Sequence, residues 1–158
     1  MTSDRLRLRT GVLVAALVSM LVALGLPGTA SAHEFGPFAI DRYIGVLVSP
    51  DGLTIDYVVD LAETPTQADG DAIEADPTGW CDARLDDVTM TLGGAPLDIT
   101  RGTATAVRAD GDGGLTTMRV ECAATVPQDA TATQQTLDID DTNISERVGR
   151  REIVIVGD

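Results

Sequence analysis

The stretch Leu53-Thr54-Ile55-Asp56-Tyr57-Val58-Val59-Asp60 decides the fold class of this chain. Large apolar side chains alternate here with threonine and aspartate. A period of two residues is typical of a strand with one buried and one solvent-exposed face. Pro50-Asp51-Gly52 precedes this stretch and favours a tight turn, and residues 39–48 carry a strand pattern before that turn. The sequence therefore predicts a β-hairpin.

Further strands are expected at short intervals along the chain. They cover residues 84–92, 96–107, 115–126, 133–139 and 152–156. In residues 63–76 the pattern stops, and Pro65, Gly70 and several acids predict a loop outside the sheets with one helical turn around residues 66–73. Together these features predict an all-β fold, an immunoglobulin-like β-sandwich of about seven strands.

The N-terminal segment has the features of a secretion signal. Three arginines within the first nine residues precede an apolar stretch, residues 11–26, and small residues at Ala30 and Ala32 suit a cleavage site. The alternative is an uncleaved membrane anchor, but the apolar stretch is shorter than the roughly 20 residues that span a bilayer. We expect residues 1–32 to be a signal peptide and residues 33–158 to form one extracytoplasmic β domain.

Composition limits the possible functions. Removing residues 1–32 from the 158-residue chain leaves 126 residues, enough for one domain with a core. The formal charge of −14 becomes −16 once Asp4 and the three N-terminal arginines are lost. A field of this sign repels phosphate backbones and attracts cations, so nucleic-acid binding is not expected.

The only cysteines are Cys81 and Cys122, an even number in a chain predicted to be exported. We expect a disulfide between two β segments, because an oxidising compartment favours such bonds. The alternative is a thiol pair that binds metal or changes redox state. It is disfavoured because the two cysteines lack the Cys-x-x-Cys spacing and have no histidine nearby in sequence.

Catalytic motifs are not found in the sequence. His33 is the only histidine and no Gly-x-Ser-x-Gly turn occurs, so triad hydrolysis is not expected. Carboxylate pairs such as Asp60 with Glu63 could serve in a glycosidase, but the chain has few aromatic residues to form a sugar-binding cleft. Residues 110–114, Asp-Gly-Asp-Gly-Gly, resemble part of a calcium loop, but the later glutamate is missing and a tight turn is predicted. We therefore expect a non-catalytic protein.

His33 has a special position, because signal cleavage would make it the first residue. Its α-amino nitrogen and its ring nitrogen could then bind one metal ion together, a chelate that suits Ni²⁺, Co²⁺ or Cu²⁺. The alternative is a solvated surface histidine. An enzyme that uses such a histidine for copper oxidation chemistry would need a second histidine, which the chain lacks.

Four segments in order carry a resemblance to a known family. The first begins His33-Glu34-Phe35-Gly36-Pro37, the third contains Gly113-Gly114-Leu115 and ends in Glu121-Cys122, and the full set is residues 33–43, 58–66, 113–122 and 143–153. In these segments the mature chain resembles the exported N-terminal domain of actinobacterial nickel/cobalt transporter-family proteins. Family members often carry a histidine in place of Arg42 and a tryptophan in place of Arg150.

The resemblance implies a module of the outer side of the cytoplasmic membrane that binds a divalent metal or regulates a membrane partner in nickel/cobalt transport. Ni²⁺ or Co²⁺ is expected, and Cu²⁺ remains open. The expected ligands are His33, Glu34, Asp41, Asp60 and Glu63. The expected partner is a membrane transporter subunit or a transmembrane domain that would follow Asp158, so the chain is either a separate exported relative or the front part of a transporter. The competing hypothesis is a structural or interaction domain of the cell envelope with no metal role.

Overall fold

The computed structural model describes residues 36–127 and 135–157. The predicted signal peptide, His33 and Glu34 lie outside these described residues, as does the start of the predicted strand at 133–139. In chain order, the elements are β1 (Ile40–Ser49), β2 (Gly52–Leu61), α1 (Glu63–Ala75), α2 (Pro77–Asp86), β3 (Val88–Leu92), β4 (Ala95–Pro96), β5 (Thr100–Asp110), β6 (Thr116–Pro127), β7 (Leu137–Asp141) and β8 (Arg151–Gly157).

The strands form two sheets. The larger sheet has five strands in the order β5-β6-β2-β1-β8, and the smaller has three in the order β4-β3-β7. All neighbours in the larger sheet are antiparallel except β1 and β8, which run parallel. The predicted hairpin is confirmed, since β1 pairs with β2 from Ile40 opposite Leu61 to Ser49 opposite Gly52. The prediction of a mostly β protein with two sheets is also confirmed.

Two helices make the description "all-β" too narrow. Residues 63–76 were predicted to be a loop with one helical turn around residues 66–73, and the structure has the longer helix α1 over Glu63–Ala75. Pro65 is tolerated because it lies in the first turn, where backbone N–H groups have no partner within the helix. The side that α1 buries carries Thr66, Gly70 and Ile73, so only one large apolar residue marks it. This weak pattern explains why the helix was missed.

Helix α2 corrects the predicted strand at 84–92, which begins only at Val88. Asp76 caps this helix by accepting a hydrogen bond from the Gly79 N–H at 2.9 Å, and Pro77 follows in the first turn. An aspartate followed by proline is a helix-start signal, because the proline has no N–H to leave unpaired there. Cys81 and Leu85, one turn apart, are buried on its inner side.

One face of the larger sheet is the core of the protein. β2 directs Ile55, Tyr57 and Val59 to this inner face, and each has no solvent exposure. Val88 and Met90 of the smaller sheet, together with Ile73 and Leu85 of the helices, belong to the same buried cluster. Within the described residues, no helix has the length and apolar character needed to cross a membrane.

The disulfide between Cys81 and Cys122 is confirmed. It joins helix α2 to strand β6, whereas two β segments were expected. The bond ties a helix to the inner face of the larger sheet across a separation of 41 residues. The predicted turn at 110–114 is also confirmed. A short 3-10 turn at Asp112–Gly114 joins β5 to β6, and Gly113 and Gly114 adopt the positive φ angles that glycine tolerates.

Candidate functional site

The candidate site lies where the described chain begins. The Ala62 N–H donates a hydrogen bond to the Ala39 carbonyl at 3.0 Å, and the Thr64 N–H donates to the Pro37 carbonyl at 2.9 Å. These bonds attach the segment before β1 to the junction of β2 and α1. The polypeptide that leads back to His33 therefore departs from this end of the larger sheet.

Two of the predicted ligands, Asp41 and Asp60, are brought together by the hairpin. They are directly opposite each other on β1 and β2. Both alternate with buried residues, so both belong to the outer face of the sheet, which is opposite the helices. Side chains at directly opposed positions have Cβ atoms about 4.5–5.5 Å apart. The hairpin thus places the two acidic residues at neighbouring positions on the outer face.

Asp41 and Asp60 have different partners. The Oδ1 atom of Asp41 accepts a hydrogen bond from the Arg150 N–H at 2.6 Å. Both carboxylate oxygens of Asp60 accept from Nη1 of Arg119, at 3.0 and 3.2 Å. A metal ion at this pair would therefore compete with Arg119 for Asp60 and leave the Arg150 bond to Asp41 in place.

Arg119 is the residue of this site that sequence reasoning missed. Its Nε donates to Glu121 at 2.8 Å, and this hydrogen bond is the main cause that raises the pKa of Arg119. Arg119 and Glu121 are two residues apart on β6, and β6 pairs with β2 so that Asp60 is opposite Arg119. The alternation of β6 could have placed them on one face, but their pairing with Asp60 required knowledge of the strand order.

Glu63 is in a different environment. It is buried at the start of α1, and its Oε1 accepts a hydrogen bond from the Asp112 N–H at 2.9 Å. This contact fixes helix α1 against the turn between β5 and β6. Within residues 36–127 and 135–157, no three His, Cys, Asp or Glu side chains form a group that could hold a metal ion. Asp41 and Asp60 thus provide a pair of oxygen donors, and Glu63 does not extend it to three.

A groove of about 420 Å³ crosses the outer face beside this pair. Its lining includes Tyr43, Asp56, Val58, Thr105, Arg119 and Glu121. The Tyr43 ring lies over Gly45, where an added Cβ would come within 2.9 Å of Tyr43 Cε1. Glycine at this position lets the ring lie flat on the sheet. The groove presents hydroxyls, carboxylates and one guanidinium, groups suited to hydrogen bonding and cation binding.

Comparisons with protein-family models, with curated proteins and with solved structures give no match to this chain. Function is therefore inferred from the residues of the chain and their geometry.

Proposed function

We propose that the mature protein is a non-catalytic extracytoplasmic module that captures a divalent metal ion, Ni²⁺ or Co²⁺, for a membrane partner. The observation that carries this proposal is the pairing of Asp41 with Asp60 on the outer face, at the end of the sheet from which the chain leads back to His33. Two predicted ligands that are distant in sequence are neighbours in the fold.

The donor set fits a metal only when the terminal histidine takes part. Asp41 and Asp60 supply oxygen atoms, which alone favour hard cations such as Mg²⁺ or Ca²⁺. The α-amine and imidazole of His33 would add two nitrogen donors, which favour Ni²⁺, Co²⁺ and Cu²⁺. Two residues lie between His33 and Gly36, so three Cα–Cα steps, at most about 11 Å, would let the histidine reach this end of the sheet. Glu34 would be a further oxygen donor.

Charge and export support the same proposal. The predicted mature charge of −16 attracts cations to the surface, and the arginine at the site offsets only one of the three carboxylates of Asp41, Asp60 and Glu121. A disulfide suits an oxidising compartment outside the membrane. The resemblance to exported transporter domains, which begin with a histidine after cleavage, supplies the metal and the membrane partner. The immunoglobulin-like relationship remains a prediction, supported by the presence of two sheets.

Calorimetric titration of the exported protein with Ni²⁺ in moderate salt tests this proposal. Asp41→Asn and Asp60→Asn should each weaken binding about tenfold or more, since loss of even an outer-shell partner commonly costs 10–100-fold. Asp56→Asn is the matched control, because Asp56 belongs to the same face of β2 and its replacement changes the charge equally. Arg119→Ala should strengthen binding by releasing Asp60. A residue added before His33 should weaken it by removing the free amine.

Equal Ni²⁺ affinity for the Asp41, Asp60 and Asp56 variants would show that the acids attract cations only through net charge. Equal affinity with and without the added residue would exclude the chelate. Binding should also weaken as pH falls through the pKa range of imidazole and the α-amine, about 6.5 to 8, because both nitrogens must lose a proton to coordinate.

A second candidate function is an interaction domain of the cell envelope without a metal. The 420 Å³ groove on the outer face favours it, because none of the described elements packs over that face and large side chains such as Tyr43, Leu47 and Val107 are exposed there. Tyr43→Ala should then abolish partner capture while leaving Ni²⁺ affinity unchanged. The metal proposal predicts instead that Ni²⁺ affinity falls when Asp41 or Asp60 is replaced.

A further inference from the structure

A second cavity, of about 160 Å³, lies on the helix side of the larger sheet, next to α1 and α2. Its apolar wall is formed by Ile40, Leu61, Ile73 and Trp80. The cavity is open to solvent, because Asp69, Glu146 and Arg147 of its lining are exposed, and its volume suits a small ligand. The cavity is distinct from the outer-face groove, which shares none of these residues.

Four charged side chains also line this cavity: Asp69, Arg84, Glu146 and Arg147. In the described part of the chain, none of the four forms an ion pair within 4 Å with another. Among the other arginines of the described residues, Arg151 donates to the Asp141 carbonyl, and the remaining five contact a carboxylate: Arg42, Arg101, Arg108, Arg119 and Arg150. In a protein so rich in acids, two arginines without a carboxylate partner at one cavity are unusual.

Arg84 is held in position by its surroundings. Its guanidinium lies over the Trp80 ring, 5.1 Å from the ring centroid, and its carbonyl accepts a hydrogen bond from Asn143 at 2.8 Å. The Nε atom is buried and has no hydrogen-bond partner. A buried donor without an acceptor costs free energy, and this cost is recovered when a ligand supplies an acceptor such as a carboxylate oxygen.

One of the segments that line the cavity has a strained backbone. Ile144 lines the cavity and has φ of 45°, the only positive φ of a non-glycine residue in the described segments. A β-branched residue disfavours this region, and such strain is common at ligand sites. The preceding Asn143 is anchored by Asp141, whose Oδ1 accepts from the Asn143 N–H at 3.0 Å and from Nδ2 at 2.8 Å.

We propose that this cavity binds a small apolar α-amino acid, free in its zwitterionic form. Its carboxylate would contact Arg84 and Arg147, and its ammonium group would face Asp69 and Glu146. Its side chain would occupy the apolar wall beside Trp80. Two cationic and two anionic side chains that do not neutralise each other match a ligand that carries one charge of each sign. This site is independent of the metal proposal.

Trp80 is the single tryptophan of the chain, so its fluorescence reports directly on the cavity. We expect a saturable change in Trp80 fluorescence when the exported protein is titrated with L-valine. A chelator in the buffer removes any effect of bound metal. Isovalerate lacks the ammonium group of valine and isobutylamine lacks its carboxylate. Each should bind about tenfold more weakly or worse, because a charge-assisted hydrogen bond is lost.

Arg84→Gln and Arg147→Gln should each weaken valine binding about tenfold or more. Arg147 is exposed, so its replacement leaves folding intact even if the Arg84 variant is destabilised. Arg101→Gln is the matched control, since Arg101 pairs with Asp82 and Asp86 away from this cavity. No saturable change with valine would overturn the proposal. So would equal binding of valine and isovalerate, or equal affinity in the Arg147 and Arg101 variants.

Discussion

The two faces of the five-stranded sheet are built from the same strands and have opposite physical roles. On β2, Ile55 and Tyr57 of the inner face are fully buried, whereas Thr54 and Asp56 of the outer face are exposed. The inner face is tied to a helix by the disulfide, while the outer face holds exposed ion pairs and a groove. Stability thus resides on one face, and the other can change with little cost to folding.

The largest effect is expected at the buried ion pair of Arg42 and Asp141 on the inner face. Their side chains are about 4% and 5% exposed and approach to 3.6 Å. Asp141→Ala should lower the free energy of unfolding by about 3–5 kcal/mol, because it leaves a buried guanidinium without its counter-charge. Urea denaturation would measure this. Replacing both Arg42 and Asp141 by apolar residues should lower the free energy of unfolding much less. If Asp141→Ala lowers it by less than about 1 kcal/mol, water must reach Arg42.

The disulfide gives the next largest expected effect. Replacing Cys81 and Cys122 together by alanine should lower the free energy of unfolding by about 2–4 kcal/mol, because the unfolded chain is no longer closed into a loop. Thermal denaturation of the two proteins side by side provides the measurement. An unchanged melting temperature would show that the packing of α2 against β6 holds without the covalent bond.

Tyr57 makes the inner face sensitive to high pH. Burial, and then the charge of Asp141, raise the pKa of Tyr57 above its usual value of 10. The pKa of Tyr57 is higher in the folded state than in the unfolded state. Its contribution to the stability of the fold is therefore fully present below the unfolded pKa and is lost as the pH rises from there toward the folded pKa. The free energy of unfolding should therefore fall above pH 10 by about 1.4 kcal/mol per pH unit. Tyr57→Phe should remove this slope, whereas Tyr43→Phe on the outer face should leave it.

The smallest effect is expected on the outer face. Asp60→Asn breaks an ion pair with Arg119, whose side chain is about half exposed. Exposed pairs contribute about 0–1 kcal/mol, and salt weakens them further. Urea denaturation at low and at high salt should give nearly the same free energy of unfolding for the variant and the parent protein. If Asp60→Asn lowers the free energy of unfolding by more than about 2 kcal/mol, the outer face also contributes to stability and the two faces do not differ in this role.

Local patterns predicted much of the fold. The alternation in residues 53–60 and the Pro50-Asp51-Gly52 turn were sufficient for the hairpin, and the count of cysteines was sufficient for the bond. The helices were missed for a physical reason. Pro65 and Gly70 are helix breakers in isolation, but the proline lies in a first turn and the glycine allows close approach to Arg108 and Met118.

The candidate site was predicted only in part. Asp41 and Asp60 were named as acids that could complete the coordination of a metal by His33, and the hairpin register places them opposite each other. Glu63 was named with them, and in the structure its carboxylate accepts a hydrogen bond from the Asp112 N–H. The partner of Asp60, Arg119, comes from β6, and no local pattern states that β6 lies beside β2. The metal assignment stays a prediction.

The sequence by itself determined which side chains of each strand share a face, because alternation is a property of the local backbone. It also determined the acidic surface and the pairing of two cysteines. Only the tertiary structure decided that Asp69, Arg84 and Arg147 line one cavity and that a helix carries Cys81. These residues are far apart in the chain, and the packing of the whole core, rather than any short segment, brings them together.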